Sequence, residues 1–158
     1  MKILSISVFL AIFCLLAFIP EKAAKISPRD SQGSSPFVEG AWEMYSTESE
    51  GITTYHKKPK QITVYTDNYM CQIHYTEEGK FEFAAGGIYE LEGNIIKSKA
   101  MYHTYEPGIG AIMWWECSKS ANGDTLYFSG PLKVVMADGS DITKAMKQKV
   151  EKKVRVKM

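Results

Sequence analysis

The residues able to do chemistry are few and widely spaced. His56, His74 and His103 are the three histidines of this 158-residue chain, and no two stand at a metal-ligand spacing. No Cys-x-x-Cys or His-x-x-x-His pattern accompanies them, so they read as strand histidines, hydrogen-bonded or facing water, and no metal site is assigned. Glu116 is the best polar candidate, because it lies within Ile-Met-Trp-Trp-Glu-Cys (112–117). A carboxylate on an apolar strand must be paired, protonated or at a rim. With His103 it would form an acid–base pair, although nothing in the sequence brings the two together. The chain has no Gly-x-Ser-x-Gly elbow, phosphate loop or nucleotide fingerprint, so no catalytic residue and no cofactor are assigned.

Any chemistry would have to be positioned by short strands. From Phe37 onward, alternating runs are separated by turn residues: Asp67-Asn68, Glu77-Glu78-Gly79-Lys80, Gly93-Asn94, Pro107-Gly108, Asn122-Gly123-Asp124 and Asp138-Gly139. Asn-Gly between alternating segments is a strong hairpin signal, and even spacing of such turns marks a sandwich or barrel. Gly86-Gly87 interrupts the run Phe81 to Leu91, as a bulge or barrel corner would. Asp141 to Lys149 reads as a short helix capped by Asp141, and Val150 to Met158 as a last strand. About eight strands result. A meander of that size has two exposed edges unless it closes into a barrel. The expected fold is therefore all-β, an antiparallel meander closing into a roughly eight-stranded barrel with a short helix near the C-terminus.

An interior of that width is either packed with side chains or hollow enough for one small ligand. A ligand cavity would be lined by one alternating set per strand. The candidates are Tyr102 or His103 on one strand, and Trp114 with Glu116, or Met113 with Trp115, on the next.

Composition bounds the rest. Apolar residues form 45% of the chain and charged residues 23%, ordinary values for a globular protein. Nineteen Lys and Arg balance eighteen Asp and Glu, which argues against a nucleic-acid partner. One local excess stands out: between Lys144 and Lys157 lie six lysines and Arg155 against the single Glu151. This run reads as a solvated face, or alternatively as a patch for anionic membrane headgroups.

Lys2 followed by the apolar run Ile3 to Ile19 has the pattern of an export signal. Residues 1–24 are read as a signal peptide or N-terminal anchor, 25–36 as a flexible linker and 37–158 as the folded domain. Secretion or a periplasmic location is expected, the alternative being a membrane anchor formed by residues 3–19. Cys71 and Cys117 then remain as a possible disulfide or as two buried thiols.

Several residues in this order carry a resemblance. They are Gly40-Ala41-Trp42, Lys60-Gln61-Ile62, Thr66-Asp67, the run Gly87 to Asn94, Gly123-Asp124-Thr125-Leu126, Ser129-Gly130 and Arg155. Together they make the chain resemble the bacterial secreted lipocalin-like domains, similar in architecture to the lipocalin and fatty-acid-binding group. The resemblance spans the whole of 37–158. It implies that Trp42 closes the barrel floor, that Arg155 stacks on it, and that a small hydrophobic or amphipathic molecule is bound without covalent change. Two departures are visible. Thr66-Asp67-Asn68-Tyr69 comes early where lipocalins carry such a turn late, and the long lipocalin helix has no counterpart. An isomerase or cyclase on the same barrel, or a solid barrel serving as an interaction module, are the other expectations.

Overall fold

The computed structural model describes residues 37–157, so the segments read as an export signal and linker lie outside the described residues. Nine strands are present among those residues: β1 (Gly40–Ser49), β2 (Ile52–Tyr55), β3 (Gln61–Tyr65), β4 (Tyr69–Tyr75), β5 (Phe81–Glu92), β6 (Ile95–His103), β7 (Ile112–Lys119), β8 (Thr125–Val135) and β9 (Lys149–Arg155). Consecutive strands from β3 to β9 pair antiparallel, and β1 pairs with both β3 and β9. This closes an eight-stranded barrel and leaves the short β2 as a flap on the far half of β1. Closure removes the two sheet edges that a meander would otherwise expose.

The flap was not foreseen from the sequence. Its turn is Glu50-Gly51, with φ of 55° and 76°. A glutamate in the left-handed region is uncommon, which is why the dipeptide does not read as a hairpin signal. The expected C-terminal helix is a single 3-10 turn, Thr143–Ala145. Its N-cap is Ile142, with no side-chain cap; Asp141, one residue earlier, accepts the Thr143 backbone N–H at 2.9 Å in an Asx turn. The Gly86-Gly87 break is a bulge in the β5–β6 ladder. Here a Cβ on Gly87 would sit 1.9 Å from the Lys99 carbonyl oxygen, so no other residue permits this approach.

The registers divide the barrel into two ends. The start of β1, the end of β3 and the end of β9 meet where Trp42 faces Thr63 and Arg155 across the ladders. At this end Val38, Trp42, Tyr65, Tyr89, Ile96, Cys117, Leu126 and Phe128 form one buried cluster. Trp42 is fully buried and its indole N–H donates to the Val38 carbonyl at 2.6 Å. The Arg155 guanidinium lies 4.4 Å from the Trp42 ring centroid, a geometry worth about 0.5–2 kcal/mol. Gly40 makes room for it: a Cβ there would meet a guanidinium nitrogen at 2.5 Å. This end is closed. The opposite end, where β4 finishes and β5 and β9 begin, is not filled.

Candidate functional site

Alternation decides what the barrel interior holds, and on three strands it places polar side chains inside. On β3 the buried residues are Gln61, Thr63 and Tyr65, while Ile62 and Val64 face outward. On β4 the inward set is Met70, Gln72 and His74. On β9 the inward row is Lys149, Glu151 and Lys153, so part of the lysine-rich run turns inward, while Lys144, Lys147, Arg155 and Lys157 are exposed as a solvated face requires. Glu151 and Lys153 are 5% and 3% exposed.

These charges survive because they are paired. Lys149 Nζ lies 2.7 Å from Glu151 Oε1 and Lys153 Nζ 3.3 Å from Glu151 Oε2. Lys153 also donates to Thr63 Oγ1 at 3.2 Å and sits 4.7 Å from the Phe128 ring centroid. Burial alone would raise the Glu151 carboxyl, but Lys153 and Lys149 together outweigh it and hold the group below the usual carboxylate range. Burial lowers the Lys153 ammonium, with Glu151 opposing the shift.

Beyond the ion pair the barrel is hollow. A cavity of about 300 Å³ lies between Gln61, Gln72, His74 and Lys149 on one side and Met113, Trp115 and Phe128 on the other. A second lobe of about 210 Å³ shares Met70, Ser98, His103, Met113 and Met146 with it and continues toward Val134 and Ile142. A further opening of about 240 Å³, bordered by Lys60, His74, Lys147 and Lys149, adjoins the first.

The two interior histidines belong to a stack. His74 lies 3.9 Å and His103 5.2 Å from the Phe83 ring centroid, both nearly parallel to it. The Tyr105 backbone N–H donates to His103 Nδ1 at 2.9 Å. The Gln61 amide donates to His74 Nε2 at 2.8 Å, which leaves the neutral ring its proton on Nδ1. Burial, then the charge of Lys153, pushes the His74 pKa down to about 4.

The candidate residues separate accordingly. His103 and Trp115 line the interior. Trp114 lies on the other face of β7 with Lys133 Nζ 5.5 Å from its ring centroid. Glu116 is exposed and accepts a hydrogen bond from the Asn94 amide at 2.8 Å. Glu116 and His103 therefore do not form an acid–base pair: one is outside the wall, the other inside it. Tyr102 is 74% exposed and borders a groove of about 600 Å³ on the outer face. That groove exists because Val64, Cys71, Gly86 and Tyr102 are successive cross-strand partners, and Gly86 has no side chain to fill the row.

Cys71 and Cys117 are free thiols rather than a disulfide. Cys71 is exposed on β4, whereas Cys117 is fully buried on β7, with β5 and β6 between them. Side chains on opposite faces of the wall cannot reach disulfide geometry. Burial pushes the Cys117 thiol up to about 12, so it stays protonated.

Gln61, Gln72, Lys149, Glu151 and Lys153 were not among the sequence candidates. The signal that could have found them is a polar residue recurring at every second position of a strand, which fits an inner wall as well as an outer one.

Among solved structures, a lipocalin-like protein from Bacteroides uniformis superposes with a TM-score of 0.52 at 9% identity, covering 76% of this chain and 99% of its own. This chain has a lipocalin-like fold. An uncharacterized protein from Bacteroides eggerthii matches with a TM-score of 0.48 at 8% identity, over 75% of this chain and 98% of its own. No protein-family model and no curated protein matches the sequence. Within the lipocalin-like barrel, Trp42 and Arg155 sit at the closed end and the cavity at the other.

Proposed function

We propose that this lipocalin-like protein is exported and carries a small hydrophobic or amphipathic ligand, held without covalent change inside the barrel. The observation that carries the reading is the hollow half. Its larger lobe, about 300 Å³, has one apolar flank of Met113, Trp115 and Phe128 and one polar flank of Gln61, Gln72, His74 and Lys149. Ligand sites combine an apolar lining with a few fixed polar groups in this way, and this volume lies at the lower end of their size range. The isomerase or cyclase reading loses its support with Glu116 on the outer face. The solid-barrel reading is at odds with the volume of the two lobes.

Native mass spectrometry of the chain, purified gently from a host that exports it, tests the carrier reading. A mass excess that disappears on denaturation is expected. A bare mass that persists after challenge with amphiphiles would refute it. Export is tested separately, by recovering the protein from medium or periplasm and sequencing its N-terminus.

A further inference from the structure

Closing the barrel leaves one sheet edge over. Among the described residues every strand but β2 has a ladder neighbour on each side, whereas β2 pairs with β1 alone. The register runs from Ser46 opposite Tyr55 to Ser49 opposite Ile52, and the His56 N–H donates to the Tyr45 carbonyl at 3.0 Å. Bonded pairs alternate along an antiparallel ladder, so His56, Thr54 and Ile52 are the residues that exchange bonds with β1. The N–H and C=O of Thr53 and Tyr55 therefore point away from it. Among the described residues no turn or loop backbone bonds to these groups.

Brevity is the only protection this edge has. Ile-Thr-Thr-Tyr consists wholly of residues that favour strands, and it holds no charge, no proline and no bulge. All four residues are exposed, Ile52 by 70% and Tyr55 by 66%, so the strand stands clear of the barrel wall. Charge lies just beyond its ends, with opposite signs: Glu50 before it, Lys57 and Lys58 after it. None of the cavities described above is lined by Ile52 to Tyr55. A foreign strand would find backbone groups here but no side-chain pocket to select it.

We propose that the free edge of β2 pairs with β2 of a second copy of this chain, antiparallel about a twofold axis. The register that uses both free residues of each strand sets Thr53 opposite Tyr55, with Thr54 facing Thr54 at the axis. Each Thr53–Tyr55 pair then exchanges both of its backbone bonds. The same register brings Glu50 of either copy level with Lys58 of the other, and symmetry makes the contact twice. Both side chains are free to turn: Glu50 is held by the exposed Lys147 at 3.5 Å, and Lys58 donates to the Glu78 carbonyl at 3.2 Å on the surface. A foreign strand carrying one sign of charge would match one end of β2 and repel the other. A four-residue contact lies at the small end of interfaces, so the dimer is reversible and half formed at roughly 0.1 mM.

Sedimentation equilibrium of the full chain, from roughly 10 µM to about 1 mM, reads the association. Thr53→Pro removes an outward N–H and no bond to β1, so it should weaken the dimer about tenfold or more while leaving circular dichroism unchanged. Charge reversal supplies a second test that does not depend on that variant folding. Glu50→Lys alone, and Lys57→Glu with Lys58→Glu alone, should each be monomeric, because like charges meet at both ends of the contact. An equimolar mixture of the two should dimerise again, since every facing pair is then of opposite sign. A native chain that stays monomeric at about 1 mM would overturn the proposal. So would a dimer untouched by Thr53→Pro, which would place the contact elsewhere, as on the apolar groove beside Tyr102. A mixture no more associated than its components would overturn the twofold register.

Discussion

Replacing the two charges buried on β9, separately and together, reports whether that strand turns its charged row inward. At 3.3 Å and an effective dielectric of about 20, Lys153 and Glu151 attract by about 5 kcal/mol. Desolvating each ion costs several kcal/mol, so the pair contributes little net stability. Removing one member is different, because the survivor keeps its desolvation cost and loses its partner; such truncations cost about 3–5 kcal/mol. The two single changes should differ within that range. In Lys153→Met, Glu151 still holds Lys149 at 2.7 Å, which places the loss near 3 kcal/mol. In Glu151→Met, Lys153 is left 3% exposed with only Thr63 and the Phe128 face, and the loss should approach about 5 kcal/mol. The double Met variant should lie within about 1 kcal/mol of the parent, since apolar side chains of similar volume replace the pair and Lys149 can turn to water.

Urea unfolding at pH 7, followed by tryptophan fluorescence, measures all four corners of the cycle. A double variant as unstable as the two single losses added, with coupling under about 0.5 kcal/mol, would refute the inward row. A pH titration gives an independent reading. The lysines hold Glu151 below the usual range, so its contribution is full above the ordinary carboxylate pKa and is lost as pH falls through the lowered one.

Three further predictions follow from separate parts of the barrel. Because burial lowers His74 from 6.5 to about 4, the unfolded chain takes up its proton first as pH drops. Stability should therefore fall by up to about 3 kcal/mol between pH 6.5 and 4, and His74→Gln should remove that part of the slope; an unchanged slope would place the ring in water. Gly40→Ala should destabilise by about 1–3 kcal/mol, because φ is 119° there and the new Cβ would meet the Arg155 guanidinium. Wild-type stability in Gly40→Ala, measured in urea, would mean the closed end is looser than described. A thiol reagent should modify Cys71 promptly and Cys117 only on unfolding, and non-reducing electrophoresis should show no internal crosslink; two equivalent thiols would contradict their opposite faces.

Period-two alternation and turn chemistry made the barrel legible in the sequence. Asn122-Gly123, Gly93-Asn94 and Asp67-Asn68 each stand at or beside a hairpin turn, and the strands they join are those observed. Which face of each strand points inward was not legible, because period two is satisfied equally by either assignment and a one-residue shift exchanges them. On β3, hydrophobicity alone would turn Ile62 and Val64 inward, yet Gln61, Thr63 and Tyr65 are buried. The reversal makes sense only with the partners present. Lys153 bonds Thr63, Gln61 bonds Gln72 and His74, and those five residues come from three strands, with Lys153 on β9 ninety positions from its partner on β3. On β7 both faces are apolar, so Met113 with Trp115 could not be preferred over Trp114 until Lys133 and Asn94 were seen on the outer side.

The two ends of the barrel differ in how they are filled. At the closed end, Trp42, Leu126 and Cys117 are fully buried, and the ring of Trp42 is covered by Arg155. Close-packed clusters of this kind supply most of what a single domain needs to fold. That frees the other end to be poorly filled, and there the wall carries two features that folding alone does not favour, an acceptor without a donor and a surplus of lysines. Each of these costs stability in an empty barrel. A ligand that binds only the folded chain adds stability in proportion to the logarithm of its concentration over Kd. The apolar outer groove beside Tyr102 follows from the same inversion, since turning Gln61, Thr63 and His74 inward turns Val64 and Cys71 outward.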